Sequence, residues 1–360
     1  MKGRIFIVAA FFLFGGSFLY SCNIRRIALI ATAETTADFA PEAQKYDVAF
    51  IAAAGIPSNI MIMETARRLD PDNPKILGAL AQIYCSYGFG FVEDQSVERA
   101  QILYYKGYQY AERTLALKNK KFAETLEKLK NNEAFPEDLA KTLTKDDIKD
   151  GFWYGSCLAY WIAASGGSPE SVAEISKMVA VLDRLIELDD SFFYGGPLLL
   201  RASFYATAPS ILGGSPVKSK ILFDRAMKKS DGKFLLAKLA YARFYASLLK
   251  DKKEKELYEE EIQRLKDKIK GYESTIAEIQ DPEIKAKFQS QLEKMRKELE
   301  EISKPEVAKL FSDRTGEQIF DETIKEIFET KSDVLPDAVL PNEIAKEKAK
   351  KLLERRADIF

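Results

Sequence analysis

Carboxylates are the first residues here whose spacing could do chemistry. Asp70-Pro71-Asp72-Asn73, Asp146-Asp147 and Asp189-Asp190 each gather oxygen ligands over a few positions. The first cluster lacks the twelve-residue loop and terminal glutamate of a calcium site, and capping of the helix that follows accounts for it better. The other two pairs fall at helix starts or turns. Nothing apolar surrounds them in sequence that would tune a pKa for acid–base work. Histidine is absent from all 360 residues, which removes the commonest general base and the commonest zinc ligand. No serine stands in a G-x-S-x-G elbow. Gly-Gly-Ser-Pro occurs at 166–169 and 213–216, but no phosphate-loop lysine follows at the required spacing. Ser168 and Ser215 therefore read as N-caps, with Pro169 and Pro216 in the first helical turn. No catalytic residue, metal ligand or cofactor is expected, and the chain does not read as an enzyme.

Aromatic side chains are concentrated instead. Phe152-Trp153-Tyr154 and Tyr160-Trp161 hold both tryptophans, and Phe192, Phe193, Tyr194, Phe204, Tyr205, Phe244 and Tyr245 add to them. Tyr and Trp pair an apolar body with a polar edge, which suits a pocket for an amphiphilic ligand. Trp153, Tyr154, Tyr160, Trp161, Tyr194, Phe204 and Tyr205 are the candidate lining. For any one of them, an aromatic core between stacked helices is the plainer account. The pocket is the expectation for the group, because not every polar edge is readily buried.

Cys22 carries a third kind of chemistry. Lys2 and Arg4 precede an apolar run from Ile5 to Leu19 that is short for a membrane span, and the run ends in Leu19-Tyr20-Ser21-Cys22. This is the layout of a secretory leader. Its end resembles the bacterial lipobox, whose cysteine is diacylated and becomes the mature N-terminus. Tyr20 departs from the small residue usual at its position. Two or three acyl chains on one cysteine give stable anchoring. The remaining cysteines, Cys85 and Cys157, sit among aromatic and small residues and read as buried free thiols. A periplasmic setting would also let them pair, and their sequence separation says nothing about geometry.

The elements that must position these residues are helices. Hydrophobic residues make up 46% of the chain, enough for a sizeable core. They recur at three and four almost throughout. The net charge of -1 gives no global field to attract nucleic acid. Three segments share one layout: METARRLDPDNPKILGALAQIYCSY (63–87), LDRLIELDDSFFYGGPLLLRASFYA (182–206) and FDRAMKKSDGKFLLAKLAYARFYA (223–246). Each is a short helix, an acidic junction and a helix rich in Leu, Ala and Tyr. This is degenerate tetratricopeptide-like repetition, an architecture that stacks helix pairs around a concave binding surface.

Residues 251–304 turn to Lys and Glu. Tyr258, Ile262, Leu265, Ile269, Tyr272, Ile276 and Ile279 alternate by four and three. Asp281-Pro282 breaks the run, and Ile284, Phe288, Leu292, Met295, Leu299 and Ile302 continue it. The pattern predicts an antiparallel coiled-coil hairpin about 30 Å long. A helix over 318–330 and a closing helix from Asn342, with Asn342 as its cap, complete the chain. The expected organisation is a leader over 1–21, a helical repeat body over 22–250, the hairpin insertion over 251–304, and C-terminal helices over 305–360 that complete the body. The fold class is all-α, a tetratricopeptide-like bundle carrying an inserted antiparallel coiled-coil hairpin.

The order of several blocks resembles the TRAP transporter T-component (TatT) family of periplasmic lipoproteins. Beyond the lipoprotein start and Ile24-Arg25-Arg26-Ile27-Ala28, the blocks are 64–92, YYKGYQYAERTLALKNKKF (104–122), FWYGSCLAYWIAASGG (152–167), 185–246 and LPNEIAKEKAKKLLERRADIF (340–360). The hairpin at 251–304 is not expected of a typical member. The resemblance implies a helical protein with cryptic tetratricopeptide motifs that can assemble as a homotrimer and has a pore or cavity through its body. It further implies docking to the extracytoplasmic substrate-binding protein of a TRAP transporter, a small organic or hydrophobic ligand, and no catalytic residues. The functional expectation is a periplasmic accessory subunit of a TRAP-type uptake system, membrane-anchored through lipid on Cys22. The alternative is a cell-envelope assembly scaffold that uses its repeats for protein contacts only, with no cavity and no bound small molecule.

Overall fold

The computed structural model describes residues 24–360; Cys22 and the expected leader lie outside them. Among the described residues no strand occurs, and the one β-type contact is an isolated bridge between Lys253 and Thr315. The chain divides into two compact units at Leu188/Asp189.

In the first unit, helix α1 (24–38) leads to α2 (Ala49–Leu69), α3 (Pro74–Tyr87), α4 (Val97–Lys118), α5 (Lys120–Lys130), α6 (Ile148–Ala164) and α7 (Ile175–Asp189). Its helix starts follow local chemistry. The Asn73 side chain accepts the Lys75 and Ile76 amides, with Pro74 in the first turn. Ser96 accepts from Arg99 and Asn119 from Phe122. Such caps satisfy amides that have no intrahelical partner. Ala33, Met63, Ala66, Ile76, Leu80 and Tyr84 form one buried cluster where α1, α2 and α3 meet.

Cys85 and Cys157 are disulfide-bonded, with Cα atoms 5.6 Å apart, which corrects the expectation of free thiols. The cause lies on the helix between them. Gly107 of α4 presents no side chain, and a Cβ there would stand 2.4 Å from the Cys85 Sγ and 3.0 Å from the Cys157 Sγ. α3 and α6 both pack on α4, and their thiols meet over that bare spot.

The second unit contains α8 (Phe192–Thr207), α9 (Pro216–Lys228), α10 (Leu235–Ala240) with a π-helical continuation (Tyr241–Ala246), α11 (Glu254–Glu278), α12 (Pro282–Ile302), α13 (Gly316–Glu329) and α14 (Val339–Glu354). Asp281 caps α12, its side chain accepting the Glu283 and Ile284 amides. α11 and α12 pack along Ile269, Ile276, Leu292 and Met295, flanked by Leu265, Tyr272, Phe288 and Leu299. The start of α11 is tied to the chain that leads into α13. The Glu254 amide donates to the Arg314 carbonyl at 3.1 Å and the Lys255 amide to Ser312 at 3.1 Å.

The closing helix begins at Val339, not Asn342. Asn342 sits inside it, fully buried. Its side-chain oxygen accepts the Leu235 amide at 2.8 Å, and its amide nitrogen donates to the carbonyls of Lys233 and Ser332. The residue is a cap, but for α10 across the core. A second departure lies at the start of α8. Phe193, Tyr194 and Gly195 have φ of 48°, 58° and 83°, a left-handed turn that costs non-glycine residues about 1–2 kcal/mol each. A Cβ on Gly195 would stand 3.1 Å from the Ala226 Cα, so glycine is favoured there on two grounds.

Candidate functional site

The candidate residues of the first unit stand on α6, against α4. Tyr105 and Tyr108 are three apart on α4, and Tyr154 and Trp161 seven apart on α6, spacings that share a helix face. The Trp161 ring lies 5.2 Å from Tyr105 and 6.4 Å from Tyr108, nearly parallel to the latter at 7°. Tyr108 in turn touches Tyr154 at 5.3 Å, and Phe122 meets Tyr154 edge-on at 5.7 Å. Tyr160 belongs to an adjoining group, 5.2 Å from Tyr104 and stacked on Phe89 at 5.5 Å. Trp153 packs edge-on to Phe152 at 5.1 Å.

Burial grades across this set. Tyr154 is completely enclosed and Trp153 buried, while Tyr160 and Trp161 are half-buried and Tyr105 is exposed. The solvent-reaching part of the cluster is thus Tyr105 and Trp161, and Tyr154 forms its floor.

A polar chain runs beneath the rings. The buried Lys177 ammonium donates to the Tyr108 hydroxyl at 2.9 Å, and Tyr108 donates to Glu112 at 3.0 Å. Lys177 is ion-paired with Glu174 one turn earlier and lies 5.5 Å from the Tyr108 ring centre. Burial pushes the Tyr108 hydroxyl well above its ordinary range, and the charges of Glu112 and Glu174 push the same way. Burial does likewise to Tyr154. Both hydroxyls therefore stay protonated and act as fixed donors, not as titrating groups.

A neighbouring group on α2, α3 and α4 has the same ingredients. Glu64 accepts from Tyr110 at 2.6 Å, Tyr84 at 2.9 Å and Arg67 at 3.0 Å, with Lys106 at 3.6 Å. Burial works to raise the Glu64 pKa, but these hydrogen bonds and the Lys106 charge outweigh it, and the carboxyl is held below its usual value.

The second unit holds Tyr194, Phe204 and Tyr205 in two separate groups. The left-handed turn at 193–195 sets the Tyr194 ring 4.9 Å from Phe234, while Phe193 meets Phe234 edge-on at 5.8 Å. Phe204 and Tyr205 surround the buried Arg201 guanidinium, which lies 5.3 Å and 3.9 Å from their ring centres. Lys218 approaches Tyr205 at 5.6 Å. Each is a cation–π contact strengthened by low exposure.

Sequence reasoning missed Tyr105, Tyr108, Glu112 and Lys177. The first three were findable, because Tyr104, Tyr105, Tyr108 and Glu112 recur at helical spacing in YYKGYQYAE. Lys177 gave no signal in the apolar run of α7. Among the described residues, no group of three or more His, Cys, Asp or Glu gathers as a metal site.

The model of the family described as TRAP transporter T-component matches residues 44–268. The chain belongs to the TRAP transporter T-component family. An uncharacterized protein of Treponema pallidum (strain Nichols) is 23% identical to it over 235 residues, covering 56% of this chain and 71% of the relative. The family is one of transporter accessories and not of enzymes. In this T-component, the matched span begins before α2 and ends inside α11. It holds every aromatic candidate of both units. The rest of α11, α12, α13 and α14 lie beyond it.

Proposed function

We propose that this T-component is a lipid-anchored periplasmic accessory subunit that docks the substrate-binding protein of a TRAP system and holds or passes a small organic or hydrophobic ligand. The observation that carries the ligand role is the graded aromatic stack of Tyr105, Trp161, Tyr108 and Tyr154 above a buried Lys177. The solvent-reaching rings of Tyr105 and Trp161 offer apolar area, and Lys177 and Glu112 fix the Tyr108 ring beneath them. The same proposal reads the helix pairs as tetratricopeptide-like units within a body over 22–250 completed by 305–360, the segment 251–304 as a coiled-coil insertion, and the assembly as a homotrimer. The disulfide supports a compartment outside the cytoplasm, where such bonds persist.

The test is to purify the full chain from its native cell and to analyse both co-purifying protein and extracted small molecules. Recovery of a TRAP substrate-binding protein, with a ligand lost in Trp161→Ala, is the expected result. Protein partners of other kinds with no small molecule at all would favour the envelope scaffold instead.

A further inference from the structure

An exposed, uncharged helix face lies beside the proposed lipid anchor. α2 is long and apolar enough to cross a membrane by length and composition, yet only 22% of its apolar stretch is buried. No charged residue occurs between Asp47 and Glu64. Its inner face, with Ala49, Met63 and Ala66, is buried, and Met63 and Ala66 pack with α1 and α3. The helix therefore cannot leave the fold to span a bilayer. Its outer face shows Phe50 and Met61 each 72% exposed, with Ile51 and Ile62 beside them.

α1 extends this character toward Cys22. Ile24, Ile27, Ala28 and Ala31 follow the i, i+3, i+4, i+7 spacing of one helix face, and all are exposed. Arg25 and Arg26 flank them in the open. Arg26 donates to the Leu69 carbonyl at the end of α2, so the start of α1 adjoins that end of the apolar helix. Ile24 is two residues from Cys22, a reach of about 7 Å at full extension.

We infer that the outer face of α2, together with the first turns of α1, rests on the surface of the bilayer that holds the lipid on Cys22. The inference rests on the proposed acylation of Cys22. An acylated cysteine leaves α1 no room to stand off from the headgroups. Apolar side chains then enter the headgroup boundary, and Arg25 and Arg26 meet anionic lipid, as interfacial helices do. The anchored protein lies against its membrane along one side instead of swinging from a tether.

The test uses the full chain in vesicles of phosphatidylethanolamine and phosphatidylglycerol. Because Cys85 and Cys157 are bonded to each other and an acylated Cys22 has no free thiol, Met61→Cys accepts a single environment-sensitive fluorophore, and Lys287→Cys on α12 serves as the control. Brominated acyl chains should quench the label at 61 at least severalfold more than the label at 287. Equal, weak quenching at both positions overturns the inference. So does a label at 61 that is shielded without lipid and becomes exposed on dilution, since a second copy then covers the face. Mass spectrometry of Cys22 separates the two ideas. A Cys22→Ser chain, which can carry neither the lipid nor a second label, retains the face and discards the anchor if its label at 61 is still quenched on vesicles. An acylated chain with no quenching does the reverse.

Discussion

Asn342 holds the start of α10 from 107 residues away, its side-chain oxygen 2.8 Å from the Leu235 amide. One buried side chain thus supplies an acceptor to Leu235 and two donors to the carbonyls of Lys233 and Ser332. Asn342→Ala should lower unfolding stability by about 1–3 kcal/mol or more, because it orphans buried backbone groups. Denaturant titration of the two proteins checks this, and an unchanged midpoint would remove Asn342 from the account of how α14 is fixed.

The disulfide on Gly107 makes a second prediction. Cys157→Ser should destabilise the chain by about 2–5 kcal/mol, and melting with and without reductant should reproduce the difference in the natural chain. Gly107→Ala places a methyl carbon 2.4 Å from the Cys85 Sγ. It should reduce the fraction of cross-linked protein on a non-reducing gel, which no simple loss of helix flexibility would do.

A third prediction concerns the foot of α11. Glu254 is fully buried, paired with Lys220 at 2.9 Å, and accepts from the Ser312 hydroxyl at 2.6 Å. Removing Lys220 leaves the buried carboxylate with only the more distant Arg314, at 3.9 Å, as a counter-charge. Lys220→Met should cost about 3–5 kcal/mol, and adding Glu254→Leu should restore part of it. Additive losses in the double-mutant cycle would contradict the pairing.

The same carboxylate gives a pH dependence. Burial pushes the Glu254 pKa up, but Lys220 and the Ser312 hydrogen bonds pull it further down, below the ordinary value of 4.5. A carboxyl depressed in the folded state binds fewer protons there than in the unfolded chain. Its contribution is therefore complete above pH 4.5 and is lost as the pH falls through the lower folded value. Glu64 behaves alike. Glu254→Gln should flatten the decline of stability below pH 4.5 while lowering stability at neutral pH, both read from urea midpoints across pH.

The last prediction bears on the aromatic site. Tyr108→Phe keeps the ring against Trp161 and removes the hydroxyl shared by Lys177 and Glu112. It should cost about 1 kcal/mol of stability, because Lys177 and Glu112 each lose a hydrogen-bond partner while Lys177 keeps its pairing with Glu174. Trp161 emission should move little, since its ring neighbours remain. A large emission shift would mean that the hydroxyl chain, and not ring packing, positions Trp161.

What was legible in the sequence was mostly local. Asn73, Ser168 and Ser215 cap the helices that directly follow them, because capping is settled within three residues. The all-helical class followed from periodicity for the same reason. Asn342 shows where that logic stops. Its sequence setting is that of an ordinary cap, and only the core decides which helix it serves. Cys85 and Cys157 pair because Gly107 lies between their helices, a fact with no trace in the spacing of the cysteines. Lys177 looks like a solvated residue until α4 supplies a hydroxyl for it. At 193–195, two aromatic residues take a conformation their own preferences oppose, which no propensity could announce. The aromatic candidates themselves were visible as a composition. Their division between two units was not, since grouping depends on packing across helices.

The backbone links that join residues 254 and 255 to 314 and 312 have one further consequence. The start of α11 is tied directly to the chain that precedes α13, so the whole segment 256–311 leaves and rejoins the unit at one place. A change in length between those points is carried by the arm itself, except along the side where Lys218 of α9 pairs with Glu298 of α12 and Val217 packs with Ile302.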